Sequence, residues 1–422
     1  MKMSLLAFAA GLAALLLVAI AWSLVANAAG LQIPPKTGTT TKSGTDAKSG
    51  SGTKTDSGSK AGASKGEDPS FVEDPKSPVG FVRGYTWGWV GKRGSYMGGR
   101  AALSMQALAQ TGTQWACIAF LANMPSGRSP VIKWGPDNSG MVTDQEIVHA
   151  IMLARQNGMK VILKPTLDAA GTDWRGHIRM PNDAAWQQWF AEYEKYQLHY
   201  AALAQAAKVE LLCIGCEMSS TEGFADRWRN LVANVRKVYT GPIVYNCTWG
   251  EEKNILWWDA VDIIGISAYY PVGRKEDLSL EKMISMWEMV RDQRLRQLSA
   301  KWKRPIMFME IGMRSAHGCS AMPADYSNMG LPWDGVEQAY FYESALRTFW
   351  DQPWFCGYVW WDWPAGLYPR QQGARDVSFC IYGKPAEQVL REWYTMPRPK
   401  WPPGRQKSGA PAPAAPAAPA KK

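Results

Sequence analysis

The chain has 422 residues, of which 46% are apolar and 20% charged, and its formal net charge is +10. That apolar share excludes a wholly disordered protein, and the length suits one large α/β barrel or two ordinary domains. Six of the basic residues (Arg398, Lys400, Arg405, Lys407, Lys421 and Lys422) lie in an acid-free C-terminal stretch. No zinc-finger spacing, phosphate loop or RNA-binding motif accompanies them, which excludes a shaped nucleic-acid site.

Residues 1–30 read as a signal peptide or signal anchor. Lys2 gives a positive start, Leu5 to Val25 is uncharged and mostly apolar, and Ala26-Asn27-Ala28 is a small-residue cleavage site. The apolar run is long enough to span a bilayer, so membrane anchoring through residues 5–25 stays open beside cleavage. The expected location is periplasmic, extracellular, or membrane-anchored and facing outward. Residues 31–76 are rich in Gly, Ser, Thr and Lys, with Lys36, Lys42, Lys48, Lys54 and Lys60 at regular spacing. This composition cannot form a core and reads as a flexible linker, with a root-mean-square span of roughly 35–40 Å. Residues 397–422 form a Pro/Ala-rich basic tail, disordered but stiffened by proline.

Residues 77–396 form one dense block in which short apolar runs alternate with amphipathic stretches. Candidate strands are 80–87, 114–120, 160–167, 210–217, 243–248, 263–269, 306–310 and 357–362. The clearest helix opens on Thr143-Asp144-Gln145-Glu146, which reads as a capped start, and closes on Asn157-Gly158. Pro181 to Ala207 and Leu280 to Trp302 supply others. Eight strands with intervening helices predict a (β/α)8 TIM barrel as a single catalytic domain. No Gly-rich fingerprint follows the first strand, which argues against a dinucleotide-binding sheet.

Cysteine, histidine and tryptophan usage narrows the chemistry. The 7 cysteines include Cys213 and Cys216 in C-I-G-C, which resembles a metal or redox half-motif. It lies on a predicted strand ahead of a glutamate and lacks a partner pair, so neither metal nor cofactor is expected. Cys319 and Cys380 stand in loop-like segments and leave a disulfide open in an oxidising compartment. His149, His177, His199 and His317 read as helical or loop surface residues without a metal-like cluster. Most of the 22 tryptophans read as core or rim packing, and the excess hints at flat faces on which sugar rings stack.

Two apolar runs end on carboxylates: V-E-L-L-C-I-G-C-E at Glu217 and P-I-M-F-M-E at Glu310. A buried carboxylate is costly without a partner or a task. In a barrel, reactive groups sit at the C-terminal strand ends, where strands four and seven face each other across the mouth. A carboxylate pair about 5–5.5 Å apart suits retaining glycoside hydrolysis, with one ionised nucleophile and one acid of raised pKa. Strand period puts Lys164 and Asp168 on one face, in reach of a sugar hydroxyl. Asn246 and Trp249 near the end of strand five, Tyr269 at the end of strand six, and Trp361 complete the expected cleft. Trp360 and Trp363 replace Trp361 if strand parity is off by one, and Trp87 with Trp89 offers a second platform. Two alternatives stand beside the hydrolase. One is a non-catalytic carbohydrate-binding or cell-envelope protein on a barrel scaffold, and the other a transglycosylase tailoring an exopolysaccharide. A monomer acting on a polysaccharide or oligosaccharide is the expected working form.

Segments spread over the block resemble glycoside hydrolase family 113, a β-mannanase-like family in the clan A barrel glycosidases. They are A-R-Q-N-G-M-K-V-I-L-K-P at 154–165, W-F-x-x-Y from Trp189, H-Y-A-x-L-A from His199 and C-I-G-C-E at 213–217. D-I-I-G-I-S-A-Y-Y-P at 262–271, M-E-I-G at 309–312 and V-W-W-D-W at 359–363 complete the set. The resemblance implies Glu217 as general acid/base, Glu310 as nucleophile, Tyr269 as a hydrogen-bond donor to the nucleophile, and β-1,4-mannan as substrate class. Two positions depart from the pattern. Cys216 stands where many clan members carry Asn, and Ser267 where Asp is frequent, which bears on the sugar more than on the reaction.

Overall fold

The computed structural model describes residues 74–399 apart from 136, 137, 172, 173, 275, 328 and 329. The chain divides into Met1–Phe71 and Val72–Lys422, and all described residues belong to the second unit. The expected signal segment and nearly all of the linker and tail lie outside the described residues. Within them, no helix is long and apolar enough to cross a membrane.

Eight parallel strands close into a barrel in sequence order. They are β1 (Val82–Trp87), β2 (Trp115–Met124), β3 (Lys160–Ala169), β4 (Leu211–Cys216), β5 (Ile243–Thr248), β6 (Ile263–Ser267), β7 (Ile306–Ile311) and β8 (Phe355–Trp363). The main helices are α1 (Gly99–Ala109), α2 (Asp144–Gln156), α3 (Asp183–Ala206), α4 (Ala225–Val238), α5 (Leu280–Val290), α6 (Arg296–Trp302), α7 (Gly335–Phe349) and α8 (Pro385–Thr395). The expected barrel is therefore present. Two details differ from the sequence reading. The stretch from Leu280 to Trp302 is broken by a π-turn at Arg291–Leu295, and β5 passes to β6 through a single 3-10 turn, Trp258–Ala260.

Local signals explain the element ends. Thr143 caps α2 by accepting from Glu146 N while the Glu146 side chain accepts from Thr143 N, so two of the free N–H groups at the helix start are satisfied reciprocally. Asn182 caps α3 in the same way from Ala185 N. Along α3, Trp189, Tyr193, Tyr196 and Tyr200 fall on one buried stripe, which packs it against the barrel.

The barrel interior separates from the outer layer by strand parity. Val82, Trp115, Cys117, Ile162, Leu211, Cys213, Val244, Ile263, Met307, Met309, Cys356 and Val359 form one buried inner cluster. The outer faces join a larger cluster with the helices. Most of the tryptophan excess is spent there: Trp228 stacks on Trp257 with centroids 4.8 Å apart, and Trp360 stacks on Tyr342 at 3.7 Å.

Pairing is long between β2 and β3, from Trp115↔Lys160 to Met124↔Ala169, but between β3 and β4 it covers only Ile162↔Leu211 and Leu163↔Leu212. Above that point the strands diverge. Tyr196 and Tyr193 of α3 donate to the carbonyls of Thr166 (2.9 Å) and Ile214 (3.0 Å), giving partners to buried groups that the ladder no longer serves. The gap leaves room at the mouth for the loop that follows β3.

Candidate active site

The C-terminal strand ends carry most of the residues expected there, but two irregularities in the strands decide how they point. On β4, Leu211 and Cys213 face inward and Leu212 and Ile214 outward. The register then shifts between Cys213 and Cys216. Gly215 lies against the outer layer, where a Cβ would meet the Tyr245 ring at 2.7 Å and the Trp228 ring at 3.0 Å. This irregularity turns Cys216 inward, against strict alternation. Glu217 follows with φ of 54°, a left-handed conformation that non-glycine residues adopt rarely and mostly at functional positions. Its N–H donates to the Asn246 carbonyl at 2.7 Å, and its side chain leaves the strand toward the mouth. On β7 the pairing with β8 shifts between Phe308 and Ile311, and Glu310 points inward directly after the inward-facing Met309.

Glu310 is surrounded by donors. Lys164 Nζ, fully buried inside the barrel, makes an ion pair with its Oε1. The Tyr269 hydroxyl donates to Oε2 at 3.0 Å and the Cys216 thiol to Oε1 at 3.3 Å. Burial alone would push the Glu310 carboxyl up, but Lys164, helped by Arg175 and Cys216, outweighs it and holds the group below the usual range. Lys164 stays charged for the reciprocal reason: burial works against the ammonium, and the ionised Glu310 more than offsets it. A buried ion pair of this kind is tolerable only because each partner satisfies the other.

Glu217 is treated differently. Trp174 Nε1 donates to its Oε2 at 3.1 Å, and Arg175 Nη1 lies 3.4 Å from the same oxygen. Burial and the negative charge of Glu310 raise its pKa, and Arg175, Trp174 and Ser267 only partly counter them. One carboxyl is thus kept ionised and its neighbour kept ready to hold a proton, the asymmetry that acid-assisted nucleophilic chemistry needs.

The other expected residues distribute unevenly. Asn246 is fully buried beside the pair, with Nδ2 3.3 Å from Cys216 Sγ and 3.2 Å from Ser267 Oγ. Trp361 lies half-buried on the wall, with Lys164 Nζ 5.8 Å from its ring centroid. Trp360 and Trp363, in contrast, are buried in the core. Asp168 is at the mouth, bound to Arg175 Nε at 2.9 Å. Trp249 sits past the end of β5, and its ring packs against Tyr270 at 5.7 Å rather than against either carboxylate. The proposed platform at Trp87 needs correction. Trp87 is fully buried on the outer face of β1, donating to Ser104 Oγ of α1 at 3.1 Å and packing on Tyr96. Gly88, at φ of 85°, bends the chain just after it, a conformation glycine adopts without a steric penalty. The ring that reaches the mouth is Trp89, 5.0 Å from Trp361 and over the Arg175 guanidinium at 5.6 Å.

Asp362, next to Trp361, is pushed up to about 7 by burial, with Glu310 adding to the rise against a backbone hydrogen bond. Trp174 and Arg175 were not anticipated from the sequence. The signal for them was modest, a Trp-Arg pair a few residues past a strand that ends on Asp168.

All 7 cysteines are free and buried, Cys319 and Cys380 included. The histidine reading is revised at one position. His317 Nδ1 lies 3.1 Å from Asp334 Oδ2 and 4.0 Å from Glu337 Oε2, a grouping of metal-binding type. Its acids are already engaged. Asp334 caps α7 at Glu337 N, and Glu337 accepts from Gly318 N and Ser320 N, so the group fastens the loop after β7 to the helix. A recess of about 430 Å³ lined by Trp115, Lys160, Lys208, Glu210 and Tyr239 lies at the opposite, N-terminal end of the strands, away from both carboxylates.

Residues 85–384 match the model for Glycoside Hydrolase Family 113. The chain is similar to the solved GH113 β-mannanase AaManA from Alicyclobacillus acidocaldarius, in complex with ManMIm. Identity is 39% and the TM-score 0.69, covering 75% of this chain and 98% of the other. Two solved structures titled GH113 β-1,4-mannanase, one of them a complex, match at 30% and 31% identity with TM-scores of 0.66. Each covers 75% of this chain and 99% of the other. Comparison with curated protein sequences gives no match.

Proposed function

We propose, from the premise that this chain belongs to Glycoside Hydrolase Family 113, that it hydrolyses β-1,4-linked mannan with retention of anomeric configuration. The substrate class rests on the β-mannanases to which the chain is similar. The observation that carries the mechanism is the opposite electrostatic setting of two neighbouring glutamates. Glu310 is held ionised by Lys164, with Tyr269 and Cys216 also donating to its carboxylate, while Glu217 is pushed toward its acid form.

In this reading Glu310 Oε attacks the anomeric carbon, and Glu217 gives its proton to the departing glycosidic oxygen as that bond breaks. The first product leaves with the Glu217 proton, and a glycosyl ester joins the remaining sugar to Glu310. Glu217, now ionised, takes a proton from water, whose oxygen attacks the same carbon and releases Glu310. Lys164 and Tyr269 meet the returning negative charge without rearranging, because both already bond the carboxylate. Trp361 and Trp89 provide apolar faces for sugar rings, and Asn246, Ser267 and Cys216 supply the polar wall on the β4–β6 side.

The proposal extends to location and form. Export rests on Lys2, the apolar run Leu5–Val25 and the small residues after it, with the protein working as a monomer on polymer outside the cytoplasm. The test is a panel of β-mannan, cellulose, xylan and β-1,3-glucan, scored for new reducing ends. Proton NMR of the first-formed product reports its anomeric configuration. Release from mannan with the β-anomer formed first is the expected result. Binding without product release, or an α-anomer first, would overturn the mechanism.

A further inference from the structure

Arg175 stands between acids on two neighbouring strands, in the gap where β3 and β4 diverge. Its Nε donates to Asp168 Oδ1 at 2.9 Å, while Nη1 lies 3.4 Å from Glu217 Oε2 and 3.5 Å from Cys216 Sγ. The guanidinium also lies 5.6 Å from the Trp89 ring, and the residue is buried. The contact to Asp168 is short and well formed. The one to Glu217 is long for a charge-assisted bond, which is ordinarily 2.7–2.9 Å. A guanidinium is a permanent cation, so one bound squarely to Glu217 would keep it ionised and useless as an acid. With no cation, the carboxylate left after proton transfer would be buried beside Glu310 without support.

We propose that Asp168 and Arg175 act as a positioning pair that divides the guanidinium between them, so that Glu217 holds a proton before bond cleavage and its ionised form is still stabilised afterwards. The inference rests on the acid/base reading of Glu217. It gives Asp168 a role through Arg175 instead of direct contact with sugar, and it explains why Trp174, a neutral donor, makes the shorter contact to Glu217. The other groups facing Glu217 are Cys216 on β4, Ser267 on β6 and Tyr269 just past its end, Glu310 from β7 and Glu222 from the loop beyond β4. None of them ties Asp168 to the proton affinity of Glu217 except through Arg175.

The two members of the pair are expected to act with opposite sign. Glu217 must be protonated to start the reaction, so the basic limb of kcat/KM against pH follows its titration. Asp168→Asn removes the competing anion, leaves the guanidinium to Glu217 and moves the limb to lower pH, by about half a unit to one unit. Arg175→Gln removes the cation and moves it to higher pH by about one unit, and Arg175→Lys brings it back toward the wild-type position. Shifts of the same sign, or a fall in kcat with the limbs unmoved, would overturn the proposal. If Arg175→Gln does not fold, Asp168→Asn at its part-exposed site decides by sign alone, since an upward or absent shift contradicts the pairing. Carbon-13 NMR of glutamate-labelled full-length protein, with Glu217→Gln as the assignment control, reads the same shifts without turnover. A wild type that releases no product would therefore count against the hydrolase reading and leave this test standing.

Discussion

At the N-terminal end of the strands the barrel interior is filled by Val82, Trp115, Ile162, Leu211, Ile263 and Met307. A few residues further along, the same strands carry Lys164, Asp168, Cys216, Glu217, Asn246, Ser267 and Glu310. The lower groups need only to fit and to leave water. Each of the upper groups is acceptable because another answers it: Lys164 for Glu310, Arg175 for Asp168 and Glu217, Asn246 for Ser267. Stability is therefore distributed among many small contacts below and concentrated in a few mutual ones above. Substitutions at the two ends are expected to differ in kind as well as size.

The largest effect is expected from Glu310→Gln. Loss of the proposed nucleophile is expected to lower kcat by more than about 10⁴-fold, the scale seen when a hydrolase loses its attacking group. Because Lys164 is left buried without its counter-charge, the melting temperature falls as well. Full activity in this variant would remove Glu310 from the mechanism. Glu217→Ala comes next, with a loss of about 10²–10⁴-fold that added azide partly restores by attacking the glycosyl-enzyme without acid/base help. No azide adduct in the product would break the assignment.

Glu222, just beyond Glu217, shows that the upper end is costly even away from the reacting pair. Burial pushes its carboxyl up to about 8, against a hydrogen bond from Tyr245 at 2.7 Å. The folded state holds this proton more tightly than the unfolded chain, so stability is lost as pH rises from the unfolded value toward about 8. Glu222→Gln is thus expected to raise stability by on the order of 5 kcal/mol at pH 9 and to change little at pH 4. Thermal melts across that range check the sign. At the lower end, Leu211→Ala should cost about 2–5 kcal/mol in a denaturant titration and leave kcat/KM unchanged below the transition. A changed pH profile there would blur the division between the two ends. The smallest effect belongs to Trp361→Ala, a roughly tenfold rise in KM with kcat less affected, from loss of one aromatic face.

Much of this was legible before any coordinates. A strand of apolar residues ending on a carboxylate is visible in the chain, and so are the Thr143 cap and the Asn157-Gly158 stop, because each depends on neighbours in sequence. Trp87 shows the limit. Its spacing is that of a strand residue, but whether its face turns to the mouth or to α1 depends on strand parity, and the bend at Gly88 hands the exposed place to Trp89. Cys216 gives the same lesson, since the register shift on β4 reverses the side on which alternation would place it.

Composition, periodicity and strand-end acids were enough to determine the barrel and to single out Glu217 and Glu310. Those are local properties, carried by hydrophobic repeat and by the rarity of apolar runs that end in charge. Which cation answers which acid was decided only by the tertiary structure. Lys164 stands 146 residues from Glu310 in the chain, and Trp174 and Arg175 stand 43 and 42 residues from Glu217. Electrostatic strength depends on separations of a few ångströms and on exclusion of water, and folding alone sets both.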